Sequence, residues 1–333
     1  METPNDAGQT RTRRAARLSV APMMDWTDRN CRRFHRMMSR NALLYTEMVT
    51  APAVIHGDRA RLLDYDAAEH PVALQLGGSD PQELRQATRI AEDWGYDEIN
   101  LNVGCPSDRV QSGAFGAVLM KSPDLVAECV QAMQAETATE VTVKCRIGVD
   151  DQVAADILPD FLDRMRQAGV RRITIHARKA WLQGLSPREN REIPPLDYPL
   201  VHAMKAQFPD LHLSINGGIA DADAIREQLT VMDGVMVGRA AYHEPWKIMG
   251  QADRLWDGEP PFALPLDVAA EMRPIIVDHI AQGGRLHQFT RHMLGLFHGM
   301  PGARAWKRTL SEGASKGGIE VYDAALMQVA EPA

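Results

Sequence analysis

The apolar positions of the chain fall into eight short β-rich runs: 18–23 (LSVAPM), 42–48 (ALLYTEM), 71–76 (PVALQL), 98–103 (EINLNV), 140–145 (EVTVKC), 172–177 (RITIHA), 211–217 (LHLSING) and 234–239 (GVMVGR). Each predicts a strand. Most gaps between them carry a helical pattern, as in DPQELRQATRIAEDWG and SPDLVAECVQAMQAE, each opened by an Asp or Ser cap with proline at the first helical position. Strand-then-helix units repeated eight times predict an α/β fold, a (β/α)8 TIM barrel, with a doubly wound sheet as the structural alternative.

After Arg239 the strand signal stops. The stretch 256–265 (WDGEPPFALP) sets three prolines in ten residues and reads as a linker. Beyond it LDVAAEMRPIIVDHIAQGG, LHQFTRHMLGLFHGM and GARAWKRTLSEGASKG show helical spacing alone, and the tail EVYDAALMQVAEPA is expected to close the bundle. The predicted organisation is a basic, flexible N-terminal extension over 1–17, a barrel over 18–255 and a small C-terminal all-α domain over 256–333.

Composition narrows the class. With 333 residues and 45% hydrophobic content the chain can bury a large core. No window approaches about 18 uninterrupted apolar residues, and the N-terminus carries no apolar run after its basic residues, so a cytoplasmic globular protein is expected. Cys31, Cys105, Cys129 and Cys145 lack CxxC spacing, which writes neither a disulfide framework nor a zinc site, and no metal is expected. The net charge of −7 excludes a protein whose whole surface binds nucleic acid, although segregated charge would escape that sum.

In a (β/α)8 barrel the active site lies at the carboxyl ends of the strands. Nearly every strand here ends in a polar residue: Glu47, Gln75, Asn100 and Asn102, Lys144, His176 with Arg178, Asn216, and Arg239. Each alone has a plain reading as a solvated strand end; together they mark a site. The glycines of SINGGIAD (Gly217, Gly218) and of MVGRAAY (Gly238) follow strands seven and eight, where such barrels commonly bind phosphate. A phosphosugar and a flavin mononucleotide both suit that arrangement. For a flavin, Lys144 would stabilise the anionic reduced ring and Gln75 would hydrogen-bond the pyrimidine edge. For a Schiff-base aldolase, Lys144 would need a depressed pKa, and no second lysine lies near it in the chain to depress it.

The motifs APMMDWTD, NLNVGCPSDRVQSGAFGAVLM, VKCRIG, IHAR, INGGI and GVMVGRAAY, in this order across residues 18 to 320, resemble the tRNA-dihydrouridine synthases. GLSPRENREIPPLDY and HMLGLFHGMPGARAWKRTLSE are similar to the bacterial A subfamily. The resemblance implies an FMN enzyme that uses NADPH to reduce the C5=C6 bond of uridines 20 and 20a in the tRNA D-loop. It implies an FMN site made of Pro22, Met23, Met24, Gln75, Lys144, His176, Asn216, Gly217, Gly218, Gly238 and Arg239. Asn102 would contact the extruded uridine or its flank, and Arg178 the substrate base or the phosphate.

Hydride addition to C6 of uracil pushes charge toward C5 and the C4 carbonyl, so an acid must protonate C5. Cys105 is the expected acid, because a thiol with an ordinary pKa of about 8.5 is protonated at neutral pH. Its plain alternative is a small buried hydrophobe, the fate expected for Cys31, Cys129 and Cys145. Gly104 is expected to relax the backbone, and Pro106 to hold Cys105 extended, so that a loop presents the thiol.

Between Arg285 and Lys316 lie six Lys or Arg residues against the single acid Glu312, so the charge is segregated after all. Arg304 and Arg308 share a helix face and suit two phosphate contacts. Phe289, Phe297 and Trp306 at helical spacing read as bundle core rather than base-stacking groups. Arg188 and Arg191, in the long loop after strand six, resemble the subfamily's tRNA-reading positions. The basic stretch Arg11 to Arg17 is expected to be a disordered tail or a weak phosphate contact. Two competing functions remain: an FMN barrel acting on a free pyrimidine, of the dihydroorotate dehydrogenase type, and a non-catalytic RNA-binding module.

Overall fold

The computed structural model describes residues 4–106 and 115–330. Eight parallel strands close into a barrel in chain order: β1 (Leu18–Val20), β2 (Leu43–Thr50), β3 (Val72–Gly77), β4 (Glu98–Val103), β5 (Glu140–Arg146), β6 (Arg172–His176), β7 (His212–Asn216) and β8 (Gly234–Val237). The doubly wound alternative is thereby excluded. Period-two alternation then sorts the side chains of β4 and β5. Ile99, Leu101, Val103, Val141, Val143 and Cys145 join the core outside the barrel wall, while Asn100, Asn102, Thr142 and Lys144 face its interior.

Register decides which interior residues meet. Asn100 lies across from Gln75 on β3 and Thr142 on β5, and Asn102 across from Lys144. Arg146 pairs with His176, and His176 with Asn216. The residues expected at strand ends therefore arrive in neighbouring layers.

Of the two expected helix starts, one is capped as the sequence predicts. Asp80 caps Pro81–Glu92 by accepting from the N–H groups of Gln82 and Glu83 at 2.8 and 3.0 Å. Ser122 departs from that expectation: it precedes Pro123–Gln134 but makes no side-chain cap hydrogen bond.

The N-terminal extension is not a flexible tail over its described part. Pro4–Ala15 is a helix whose end seals the amino mouth of the barrel, with Ala15 and Ala16 packed against Leu43, Tyr45, Ala73 and Met236. The small alanines let the chain come close, and Gly234 lets β8 meet it. An added Cβ at Gly234 would lie 2.2 Å from the Ala16 carbonyl oxygen. The seal places Arg11, Arg14 and Arg17 on the surface at the end away from the strand-end residues.

The C-terminal region comprises the helices Pro265–Ala281, Leu286–Met293, Ala303–Gly313 and Ile319–Ala330. Trp306 is fully buried among them, edge-on to Phe297 and Tyr322 at 5.0 and 5.6 Å, and its indole N–H donates to the Met293 carbonyl at 3.1 Å. Phe289 and Phe297 are buried too, so these aromatics are core, as their spacing predicts. The region docks on the barrel through Asp28, which accepts from Arg291 and lies 3.0 Å from His292 Nε2. Burial would raise the Asp28 pKa, but His292 and the hydrogen bonds outweigh it and hold the carboxyl down at about 2. No helix among the described residues is long and apolar enough to cross a membrane.

Candidate active site

Cys105 sits half-buried at the carboxyl end of β4, on a loop held from three sides. Asn102 Oδ1 accepts the N–H groups of Gly104 and Cys105, both at 3.0 Å. Arg146 Nε donates to the Gly104 carbonyl at 2.9 Å, and the Ala117 N–H donates to the Cys105 carbonyl at 2.9 Å. Gly104 does not act as the sequence predicts. Its φ is not left-handed, and an added Cβ would meet Cys145 at 3.4 Å, an ordinary contact. Hydrogen bonds, not backbone freedom, set the position of the cysteine. Residues 107–114 of the motif lie outside the described residues. The other three cysteines are buried, and burial pushes the Cys129 and Cys145 thiols up to about 12.

Asn102, expected at the uridine or its flank, also has its amide engaged within the protein: Oδ1 accepts from the loop and Nδ2 donates to Gln75 Oε1 at 2.8 Å. Lys144 Nζ donates to Asn216 Oδ1 at 3.1 Å, and Asn216 Nδ2 donates to the Met236 carbonyl at 2.7 Å. Burial, reinforced by Arg146, lowers the Lys144 pKa to about 8. A neighbouring lysine was therefore the wrong criterion for depression, since burial and an arginine two residues along achieve it. His176 packs against Gly217, where an added Cβ would lie 2.6 Å from its Cδ2. Gly217 and Gly218 have φ of 112° and 75°, and Tyr198 Oη donates to the Gly217 carbonyl at 2.5 Å. Burial and the charges of Arg146 and Lys144 push the His176 pKa well down, so the ring is neutral at pH 7.

Arg146 was not among the expected residues. The available signal was its place two positions after Lys144, on the same interior face. It is buried, and Nη1 donates to the carbonyls of Lys179 and Asn190 at 3.0 and 3.1 Å, tying the cysteine loop to the long loop after β6. Asn190 was missed as well. Fully buried, it exchanges hydrogen bonds with the Trp181 backbone at 2.7 and 2.8 Å and so shapes the loop that carries Arg188 and Arg191.

Arg188 and Arg191 are exposed on that loop, and partial desolvation together with Arg239 lowers the Arg191 pKa. Glu192 joins this rim to Arg239, whose Nη1 donates to its carboxylate at 2.6 Å. Arg178 Nη1 donates to the carbonyls of Pro194 and Glu192, while its buried Nε has no hydrogen-bond partner among the described residues. At β1, Glu47 accepts the N–H of Asp25 at 2.5 Å and braces a left-handed residue (φ 64°) that follows Pro22, Met23 and Met24. Met23 packs on the barrel interior, whereas Met24 is 52% exposed. Near Gly238 an added Cβ would touch only Ala21 and Met23, both at 3.7 Å, so that position is roomy.

On the helical region Arg304, Lys307 and Arg308 are exposed on the face of Ala303–Gly313 away from buried Trp306. Burial lowers the His243 pKa, and Arg239 and Lys307 lower it further, so this basic face adjoins the barrel mouth. A cleft of about 380 Å3 elsewhere, between Asn30 and Asp278, is a poorer candidate because its Arg29 and Arg33 already face Asp64 and Asp66 at 2.5 and 3.3 Å.

A closed parallel barrel with a cysteine and a crowd of cations at the carboxyl ends of its strands is the frame of a (β/α)8-barrel enzyme. The family model described as dihydrouridine synthase (Dus) matches residues 19–330, and the chain belongs to that family. It is 56% identical over 302 residues to the tRNA-dihydrouridine(20/20a) synthase of Xanthomonas campestris pv. campestris, covering 91% of this chain and 90% of that protein. It is 56% identical over 321 residues to the protein of the same name from Escherichia coli K12 (95% and 92%) and 53% identical over 318 residues to that of Vibrio cholerae (95% and 97%). Among solved structures, the old yellow enzyme homologue from Zymomonas mobilis shares the fold at a TM-score of 0.50 and 12% identity, covering 72% of this chain and 88% of that one.

Proposed function

We propose that this protein is a cytoplasmic tRNA-dihydrouridine synthase that reduces uridines 20 and 20a of the D-loop with FMN and NADPH. The observation that carries the reading is the charge at the barrel mouth. Lys144, Arg146, Arg178, Arg191 and Arg239 converge near Cys105, and repulsion among them adds to burial in lowering several of their pKa values. Cations gathered at such a cost fit a polyanion. FMN brings one phosphate and tRNA many, and the partnerless Arg178 Nε is a donor of the kind a phosphate takes.

When bound, FMN supplies the hydride for C6 of the uracil. The chain's own part is to hold the base and deliver a proton. Asn102 and Arg146 fix the loop so that Cys105 Sγ gives its proton to C5, yielding 5,6-dihydrouridine and a thiolate. Lys144, Arg146 and Arg191 all lie within electrostatic reach of Cys105, and solvent returns the proton to its sulfur. Gln75, Lys144, His176, Asn216 and the Gly217–Gly218 turn would hold the flavin. Arg239, now paired with Glu192, would turn to the phosphate. Arg188, Arg191, Arg304 and Arg308 would meet tRNA phosphates around the extruded nucleotide.

Mapping dihydrouridine in tRNA from cells lacking the protein tests substrate, reaction and position together. Loss at positions 20 and 20a is expected; retention at both would overturn the proposal.

A further inference from the structure

Five polar side chains inside the barrel form one continuous hydrogen-bonded line from its floor to the cysteine loop. At the floor, Glu98 Oε2 accepts from Arg172 at 2.6 Å, and Glu98 Oε1 accepts from Tyr45 at 2.5 Å and from Thr142 Oγ1. Thr142 Oγ1 in turn accepts from Asn100 Nδ2 at 2.7 Å. Asn100 Oδ1 accepts from Gln75 Nε2, and Gln75 Oε1 from Asn102 Nδ2, both at 2.8 Å. Asn102 Oδ1 then faces the N–H groups of Gly104 and Cys105.

The two ends of this line have fixed polarity. A carboxylate beside a guanidinium only accepts, and a backbone N–H only donates. Between them stand one hydroxyl and three amides, each able to donate one way and accept the other. Because Thr142 must spend its single proton on Glu98, it presents a lone pair to Asn100. Asn100 must then offer Nδ2, which turns its oxygen to Gln75; Gln75 must offer Nε2, and Asn102 must offer Nδ2. Reversing Gln75 would set oxygen against oxygen and NH2 against NH2 in a buried site, and a buried clash of that kind is costly.

The geometry points to Glu98, Thr142 and Asn100 as positioning residues: they form a polarity relay that forces the Asn102 oxygen toward the cysteine loop and so fixes where the Cys105 thiol is delivered. The three reach the loop through Gln75 and Asn102. Their effect on proton delivery rests on the reading of Cys105 as the acid, whereas their effect on the loop does not.

The test compares Thr142→Val, which keeps the shape and removes the hydroxyl, with Thr142→Ser, which keeps the hydroxyl. In the purified FMN-loaded protein, amide hydrogen exchange at Gly104 and Cys105 should accelerate about tenfold in the valine variant, the loss expected for one hydrogen bond. Dihydrouridine formation should fall by a similar factor in kcat with KM for tRNA unchanged, and Thr142→Ser should restore both. If Thr142→Val does not fold, Asn100→Leu interrupts the same line and is read in the same way. Native exchange in the interrupted variant, or a serine variant as impaired as the valine one, would overturn the relay. Accelerated exchange in Thr142→Val together with full activity of Cys105→Ala would uphold the relay and overturn the acid assignment instead.

Discussion

The two ends of the barrel treat charge in opposite ways. At the amino end Arg172 is buried between Glu98 and Glu140, with Arg13 3.7 Å from Glu140. Cation and carboxylate balance there, and a helix closes over them. At the carboxyl end Lys144, Arg146, Arg178, Arg191 and Arg239 gather around Cys105, and among the described residues the carboxylate paired with them is Glu192 on Arg239. A buried charge needs a counter-charge, so balance within the protein marks a structural site and imbalance marks a site that waits for a ligand.

Replacing Cys105, the proposed acid, at the open end should give the largest effect. Cys105→Ala should lower dihydrouridine formation by about 10²- to 10⁴-fold, the usual contribution of a general acid, while flavin absorbance and NADPH bleaching persist. Native-rate modification of tRNA would remove the cysteine from the chemistry. At the closed end Arg172→Met leaves two buried carboxylates facing each other. It should cost about 3–5 kcal/mol of stability in chemical denaturation, whereas Arg239→Met at the open end should cost far less and weaken FMN binding instead. Equal losses of stability would dissolve the contrast between the ends.

Lys144 sharpens the contrast through pH. Its pKa stands at about 8 without ligand, and an anionic ligand favours the protonated ammonium. FMN affinity, followed by quenching of flavin fluorescence, should therefore fall as pH rises above about 8, and Lys144→Met should flatten that profile. A profile still steep in the variant would assign the titration to another group. The smallest effect belongs to the outer basic face. Arg304→Ala with Arg308→Ala should weaken tRNA binding and reduce the slope of log K against log salt by about 2, leaving flavin reduction intact; unchanged affinity would move the RNA surface elsewhere.

Much of this was legible in the chain. Period-two alternation places Gln75, Asn102, Lys144, His176 and Asn216 on the interior face, because strand geometry is local. The place of Cys105 at the carboxyl end of β4 was legible from its motif. Arg146 was harder, since its importance lies in carbonyls supplied by Gly104, Lys179 and Asn190, far apart in sequence. The N-terminal helix was misread as a tail because the Arg11 to Arg17 stretch looks solvated, while its small residues Ala15 and Ala16 acquire meaning only against Leu43, Tyr45 and Met236.

By itself the sequence determined the number and order of strands, the side of the wall each residue occupies, and the family, all of which follow from local period and motif. Only the tertiary structure decided which charges are answered and which are left open, and which way the buried amides point. Those depend on register across neighbouring strands and on loops meeting over the barrel mouth, where electrostatic and hydrogen-bond partners come from residues that chain proximity does not relate.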